Sequence, residues 1–196
     1  METIRFYLEL GVFHVLDLDG YDHVLFMIAL ALPYAFKSFV RLLLLATAFT
    51  LAHTLSLALA AFNLFKIDAG LIEFLIPVTI ALTALYNLVV YEPDHRQGSF
   101  NVQLVATVFF GLIHGFGFSN YFRMIMGAED EKATALLGFT LGIETAQLLV
   151  IAATLAFSAI TNKLFSNRPL IVRLISALIL LIAFKIALEA APAGWF

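Results

Sequence analysis

The sequence predicts an all-α, polytopic transmembrane helix bundle. About six spans are expected behind a short N-terminal interfacial or re-entrant helix, or seven if that helix merges into a tilted span of its own. Three observations carry the prediction. Only 13% of the 196 residues are charged and 62% are hydrophobic, whereas soluble domains carry about twice that charged fraction. Mean hydropathy is +0.99. The apolar residues fall in long continuous runs, unlike the roughly ten-residue alternating segments of a membrane β-barrel, and inside lipid only helices or closed barrels satisfy their own backbone. At about 150 residues per domain, one domain over 1–196 is expected.

The first element, 4–16, rises only about 20 Å as a helix, short of a hydrocarbon core about 30 Å thick. Glu2 and Glu9 stand where a signal peptide carries its basic region, and no small-residue cleavage site follows, so a cleavable leader is not expected. Six longer apolar runs come next: 21–36, 39–62, 70–91, 100–120, 133–161 and 170–188. The first is short and ends near Pro33. Polar turns at 37–38, 66–68, 92–101, 127–132 and 162–169 separate them.

Lys37, Arg41, Arg96, Lys163, Arg168 and Arg173 fall on one face of this topology, and Arg5, Lys66, Arg123, Lys132 and Lys185 on the other. The tight basic clusters on the first face, set against Glu129, Asp130 and Glu131 on the second, predict termini outside the cytoplasm. The expected location is a bacterial cytoplasmic membrane. A net charge of −3 offers no basic surface for nucleic acid. The absence of cysteine excludes disulfides, thiolate metal sites and a cysteine nucleophile.

Charges inside spans cost about 2.5–3.5 kcal/mol at a helix centre, yet the chain places Asp22, His23, His53, Glu73, His114 and Glu144 within or at the ends of five runs. Depths from the N-terminal face, counted at helix rise, are about 5 Å for His23 and Glu73, 9 Å for His114, 14 Å for His53 and 16 Å for Glu144. Alternate helices run in opposite directions, so this agreement does not follow from sequence order. One site in the non-cytoplasmic half is expected, with His14 as a further ligand or as a bystander. Imidazoles with carboxylates suit a borderline divalent ion (Zn, Ni, Co or Fe), whereas Ca or Mg prefers oxygen alone. The competing reading of each intramembrane histidine is a helix-to-helix hydrogen bond. Asp19 reads as a helix cap, and His95, in the hydrophilic turn 92–96, as solvated.

Two further patterns bear on the site. Gly111 and Gly115, and Gly138 and Gly142, have the small-residue spacing that lets helices approach closely, and they are expected to join the fourth and fifth runs. Thr140, Glu144, Gln147, Thr154, Ser158 and Thr161 share one helical face, as do Thr79, Thr83 and Asn87. Such stripes either line a permeation route or bond their own helix carbonyls.

The block 20–26 after His14, then 49–57 around His53, 110–118 around His114 and 142–148 around Glu144 resemble the HupE/UreJ group of hydrogenase- and urease-accessory membrane proteins. The likeness is greater to that family's broader second branch. The resemblance implies six or seven spans and a link to nickel or cobalt uptake for metalloenzyme maturation. The family's metal motif places five residues between a His and an Asp-His pair; here seven separate His14 from Asp22 and His23.

Three functions follow. A metal permease or uptake accessory would hold its ion on Asp22, His23, His53, His114 and Glu144, with Glu73 at the entrance and the stripes as exit. An intramembrane zinc-type hydrolase would act on lipid or lipidated substrate from the outer leaflet, with Glu144 or Glu73 as general base. A metal sensor, store or chaperone partner is the third. The partners expected are the bilayer, the metal ion, and a second copy or a metalloenzyme-maturation protein.

Overall fold

The computed structural model describes residues 2–17, 20–65, 67–91, 99–127, 129–165 and 167–192, and among these there is no strand. The helices are α1 (Glu2–Leu16), α2 (Asp22–Ala31), α3 (Phe39–Ala61), α4 (Ala69–Val90), α5 (Phe100–Met126), α6 (Lys132–Phe165) and α7 (Arg168–Glu189), with a 3-10 turn at Phe36–Ser38. Asp19, Lys66 and the turn bearing His95 and Arg96 lie outside the described residues.

Helices α3 to α7 are each long and apolar enough to cross a membrane. Their starts are chemically marked where a cap is present. The Asp68 side chain accepts from Leu71 N at the head of α4, and Asn167 does the same for Leu170 at the head of α7, where proline occupies the first turn. Outward-facing side chains are apolar, among them Leu51, Val105, Phe109, Leu149, Leu174 and Leu181, while His23, His53, His114 and Gln147 are buried. That inversion fits a helix bundle solvated by acyl chains: the protein is an integral membrane protein.

The short helices α1 and α2 lie in series beside the 34-residue α6. Ile4 and Tyr7 meet Gly138, and Leu8 and Gly11 meet Gly142. Further along, Val24, Ile28 and Leu32 border Val150, Thr154 and Phe157. Numbers rise together, so α1, α2 and α6 run the same way. Neither short helix spans lipid alone; their 15 and 10 residues together rise about 38 Å, enough for one crossing. The expected re-entrant segment is thus the upper half of an interrupted span.

Glycine sets the two closest helix pairs, and neither is the pair expected. A Cβ at Gly111 would strike the Phe49 carbonyl, and one at Gly115 the Ser56 hydroxyl and the His53 carbonyl, so α5 lies against α3. Gly138 and Gly142 admit the α1 backbone. The fourth and fifth runs are not joined by these glycines; each receives a histidine-bearing partner instead. One apolar core, with Phe26, Phe49, Ile80 and Ile113, fills the space among α2, α3, α4 and α5, and another, with Tyr7, Phe122, Met126 and Phe139, ties α1 to α5 and α6.

Candidate metal centre

The break between α1 and α2 is where the histidines gather. His14 closes the last turn of α1, while Asp22 and His23 open α2. His53 reaches in from α3 and His114 from α5, both held at that level by the glycine contacts. His23, His53 and His114 are 2%, 0% and 1% exposed, and His14 is half-buried.

His23 Nε2 lies 3.4 Å from His53 Nε2. Ring centroids of His23 lie 4.6 Å from His14, 5.4 Å from His53 and 5.2 Å from His114. Two overlapping triads result, His14–His23–His53 and Asp22–His23–His114, the ligand atoms of each lying within 4.8 Å of one another. His23 belongs to both.

Counting hydrogens assigns the lone pairs. The Thr79 hydroxyl donates its hydrogen to Ile76 O at 2.7 Å, so its 2.9 Å contact with His114 Nε2 needs a hydrogen on that nitrogen. His114 Nδ1 is then bare, and it is buried without a hydrogen-bond partner. His53 Nδ1 and His14 Nε2 are likewise buried and unpartnered. Such atoms are uncommon in native interiors and call for an explanation. A shared cation is one that the chemistry of this donor set fits. Asp22 Oδ1 accepts from the His23 backbone N–H at 2.8 Å and lies 3.1 Å from His23 Nδ1. A carboxylate on Nδ1 puts the hydrogen there and frees Nε2, which is how outer carboxylates orient metal-binding imidazoles.

Phe118 covers His14 at a ring-centroid distance of 4.0 Å and stacks on Phe139. Phe26 and Phe49 wall the other side. On the α1–α5 side, a cavity of about 630 Å³ is lined by His14, Asp17, Phe118 and Tyr121. On the other side, Thr83 donates to Thr79 O at 2.9 Å and opens on a cavity of about 200 Å³ shared with Tyr86, Asn87, Gln103 and Thr107.

Sequence reasoning brought Asp22, His23, His53 and His114 into one site and left His14 as a ligand or a bystander; in the structure all five lie together. It does not bring Glu73 there. Glu73 is exposed on α4, and Thr79, which touches His114, lies six positions on, about 240° further round the helix. Nor does Glu144 join the triads; its carboxylate meets the Thr47 and Thr50 hydroxyls at 2.6 and 2.5 Å. The α4 stripe of Thr79, Thr83 and Asn87 touches the centre and lines a cavity. On α6, Thr140, Thr154 and Thr161 bond their own helix carbonyls. The contribution of Thr79 and of the aromatic wall was not inferred from sequence; the α4 stripe was the available signal for Thr79.

A family model described as HupE / UreJ protein matches residues 1–190. No curated protein and no solved structure matches the chain.

Proposed function

The chain belongs to the HupE/UreJ family, and from that premise together with the histidine centre we propose that it is a membrane uptake accessory whose cargo is a borderline divalent cation of the nickel or cobalt type. The observation that carries this reading is the set of buried, unpartnered imidazole nitrogens on separate helices, meeting where a span is interrupted. Interrupted spans supply ion sites in many transporters because they bring polar groups to mid-bilayer. By helix rise, His114 lies about 21 Å from the start of α5 and about 18 Å from its end. The centre is therefore deeper than the sequence count placed it, because α5 continues to Met126.

The ion enters by the cavity beside His14, rests on the first triad, and passes to the second as His23 stays bound. The first triad offers three imidazoles and the second two imidazoles with Asp22 behind His23, enough to select an N/O-liganded dication and too few to close its coordination shell. The ion leaves past Thr79 and Thr83 toward the basic face, which we place in the cytoplasm of a bacterial cell. The hydrolase reading is weaker, since neither Glu73 nor Glu144 stands where it would activate a water on the imidazole-bound ion.

Elemental analysis of purified protein, wild type beside His53→Ala and His114→Ala, tests the centre, with nickel supplied during expression. Stoichiometric nickel in the wild type and a lowered nickel content in both variants are expected. In proteoliposomes the wild type should also move nickel inward down its gradient. Equal metal in all three proteins would refute the site, and retained binding without flux would refute transport.

A further inference from the structure

A cavity of about 340 Å³ opens at the basic face, where the spans α3, α6 and α7 begin or end. Lys37 lies just before α3, Ser158 and Asn162 in the last turns of α6, and Arg168 at the head of α7. All four line the cavity, beside Phe36. Among the described residues no carboxylate does.

Arg168 is fixed in place here. Its Nη2 donates to Pro33 O at 3.2 Å and to Tyr34 O, the carbonyls that follow α2. A guanidinium has five hydrogens to donate, and these two bonds leave three. Nε is buried without a partner. Neither Arg168 nor Lys37 has an ion pair among the described residues. A buried N–H without an acceptor is uncommon in native interiors, and two unopposed cations sharing one cavity repel each other. Both features call for an anion. Guanidinium matches the oxygens of a phosphate through paired N–H bonds. Both cations also stand at the heads of apolar, membrane-crossing helices, which is the level of lipid headgroups. Basic pockets between transmembrane helices hold anionic headgroups in this way.

We propose that this cavity binds the phosphate of an anionic phospholipid from the adjoining leaflet. Arg168 donates its Nε hydrogen and a remaining Nη hydrogen to the phosphate oxygens, and Lys37 adds its ammonium. Ser158 and Asn162 bond the ester or glycerol oxygens, and Phe36, 56% exposed, offers its ring to the acyl chains. One lipid thereby joins the ends of α3, α6 and α7, and through Arg168 that of α2. Other cations of this face are placed differently: Arg41 lies 5.6 Å over the Phe100 ring, and Lys163 is exposed outside the cavity. Lipid binding here is independent of any ion at the histidines.

Native mass spectrometry of the full-length protein in detergent, with phosphatidylglycerol or phosphatidylcholine of the same chains added, tests the site. A single tightly held phosphatidylglycerol is expected on the wild type, with phosphatidylcholine shed more readily. Affinity for phosphatidylglycerol should fall about fivefold in Lys37→Gln, the loss ordinarily attached to one basic residue at an anionic leaflet. It should stay near the wild-type value in Lys37→Arg and Lys163→Gln. Arg168→Gln should also lose the lipid; if that variant does not fold, Lys37→Gln decides alone. Phosphatidylglycerol should raise the thermal midpoint of the wild type more than that of Lys37→Gln, and inorganic phosphate should raise neither. Equal retention of the two lipids, or an equal loss in Lys163→Gln, would overturn the proposal by reducing it to general surface charge. Stabilisation by inorganic phosphate as large as that by lipid would overturn it too, since the occupant would then be a free ion.

Discussion

The imidazoles are unequal, and the inequality is testable. His23 serves both triads while His14 serves one, so His23→Ala should abolish nickel binding and His14→Ala should weaken it. Equal losses would contradict a shared ligand. Asp22 acts on His23 from behind, and loss of such an outer carboxylate typically costs 10–100-fold in metal affinity. Asp22→Asn should fall in that range by equilibrium dialysis against nickel. The histidines were legible because a polar group in an apolar run has few reasons to be there. Glu73 was misplaced because depth along an axis says nothing about direction around it. Glu144 was grouped with the imidazoles for the same reason, although its partners on α3 are hydroxyls.

Helix extents were legible from hydropathy, with two instructive departures. Ser119, Asn120 and Arg123 read as the end of a run, but Phe122 and Met126 pack against Tyr7 and Phe139 and carry α5 onward. Tertiary contact outweighed local polarity. The interruption between α1 and α2 was left open by composition, since two short apolar segments look alike whether they lie on the surface or follow one another through the bilayer. Helix pairing was the least legible feature, because a small-residue stripe announces a close neighbour without naming it. The observed neighbours make a definite prediction. Gly115→Val would drive side-chain atoms into Ser56 and the His53 backbone, parting α3 from α5 and with them His53 from His114. A loss of about 1–3 kcal/mol, the usual cost of overpacking, should appear as a lowered midpoint of thermal unfolding in detergent, together with weakened nickel binding. A stability loss with unaltered nickel affinity would mean that this contact supports the bundle but not the centre.

Across the whole molecule, the two polar stripes offer different passages from the centre to the basic face. Sequence periodicity gave them equal standing and would have put a block at Thr154 or Ser158. In the folded bundle, Thr154 donates to Val150 O of its own helix and borders an apolar groove with Val24, Ile28 and Phe157. Thr83 donates to the backbone carbonyl of Thr79, whose hydroxyl touches His114, and faces the cavity among α2, α4 and α5. The α4 cavity sets Thr83, Tyr86, Asn87, Gln103 and Thr107 among Phe26, Leu30, Leu82, Val102 and Phe110, whereas the groove beside Thr154 is otherwise lined by apolar residues. Thr83→Leu would fill this cavity without touching an imidazole. Nickel flux into proteoliposomes should then fall about tenfold, the rate equivalent of about 1.4 kcal/mol on the crossing barrier, while nickel bound per protein in detergent stays at the wild-type value. Thr154→Val, which keeps its shape and loses only a hydroxyl bonded to its own helix, should conduct as the wild type does. The reverse pattern, with flux lost in Thr154→Val and kept in Thr83→Leu, would move the exit to α6 and leave the α4 cavity a packing defect.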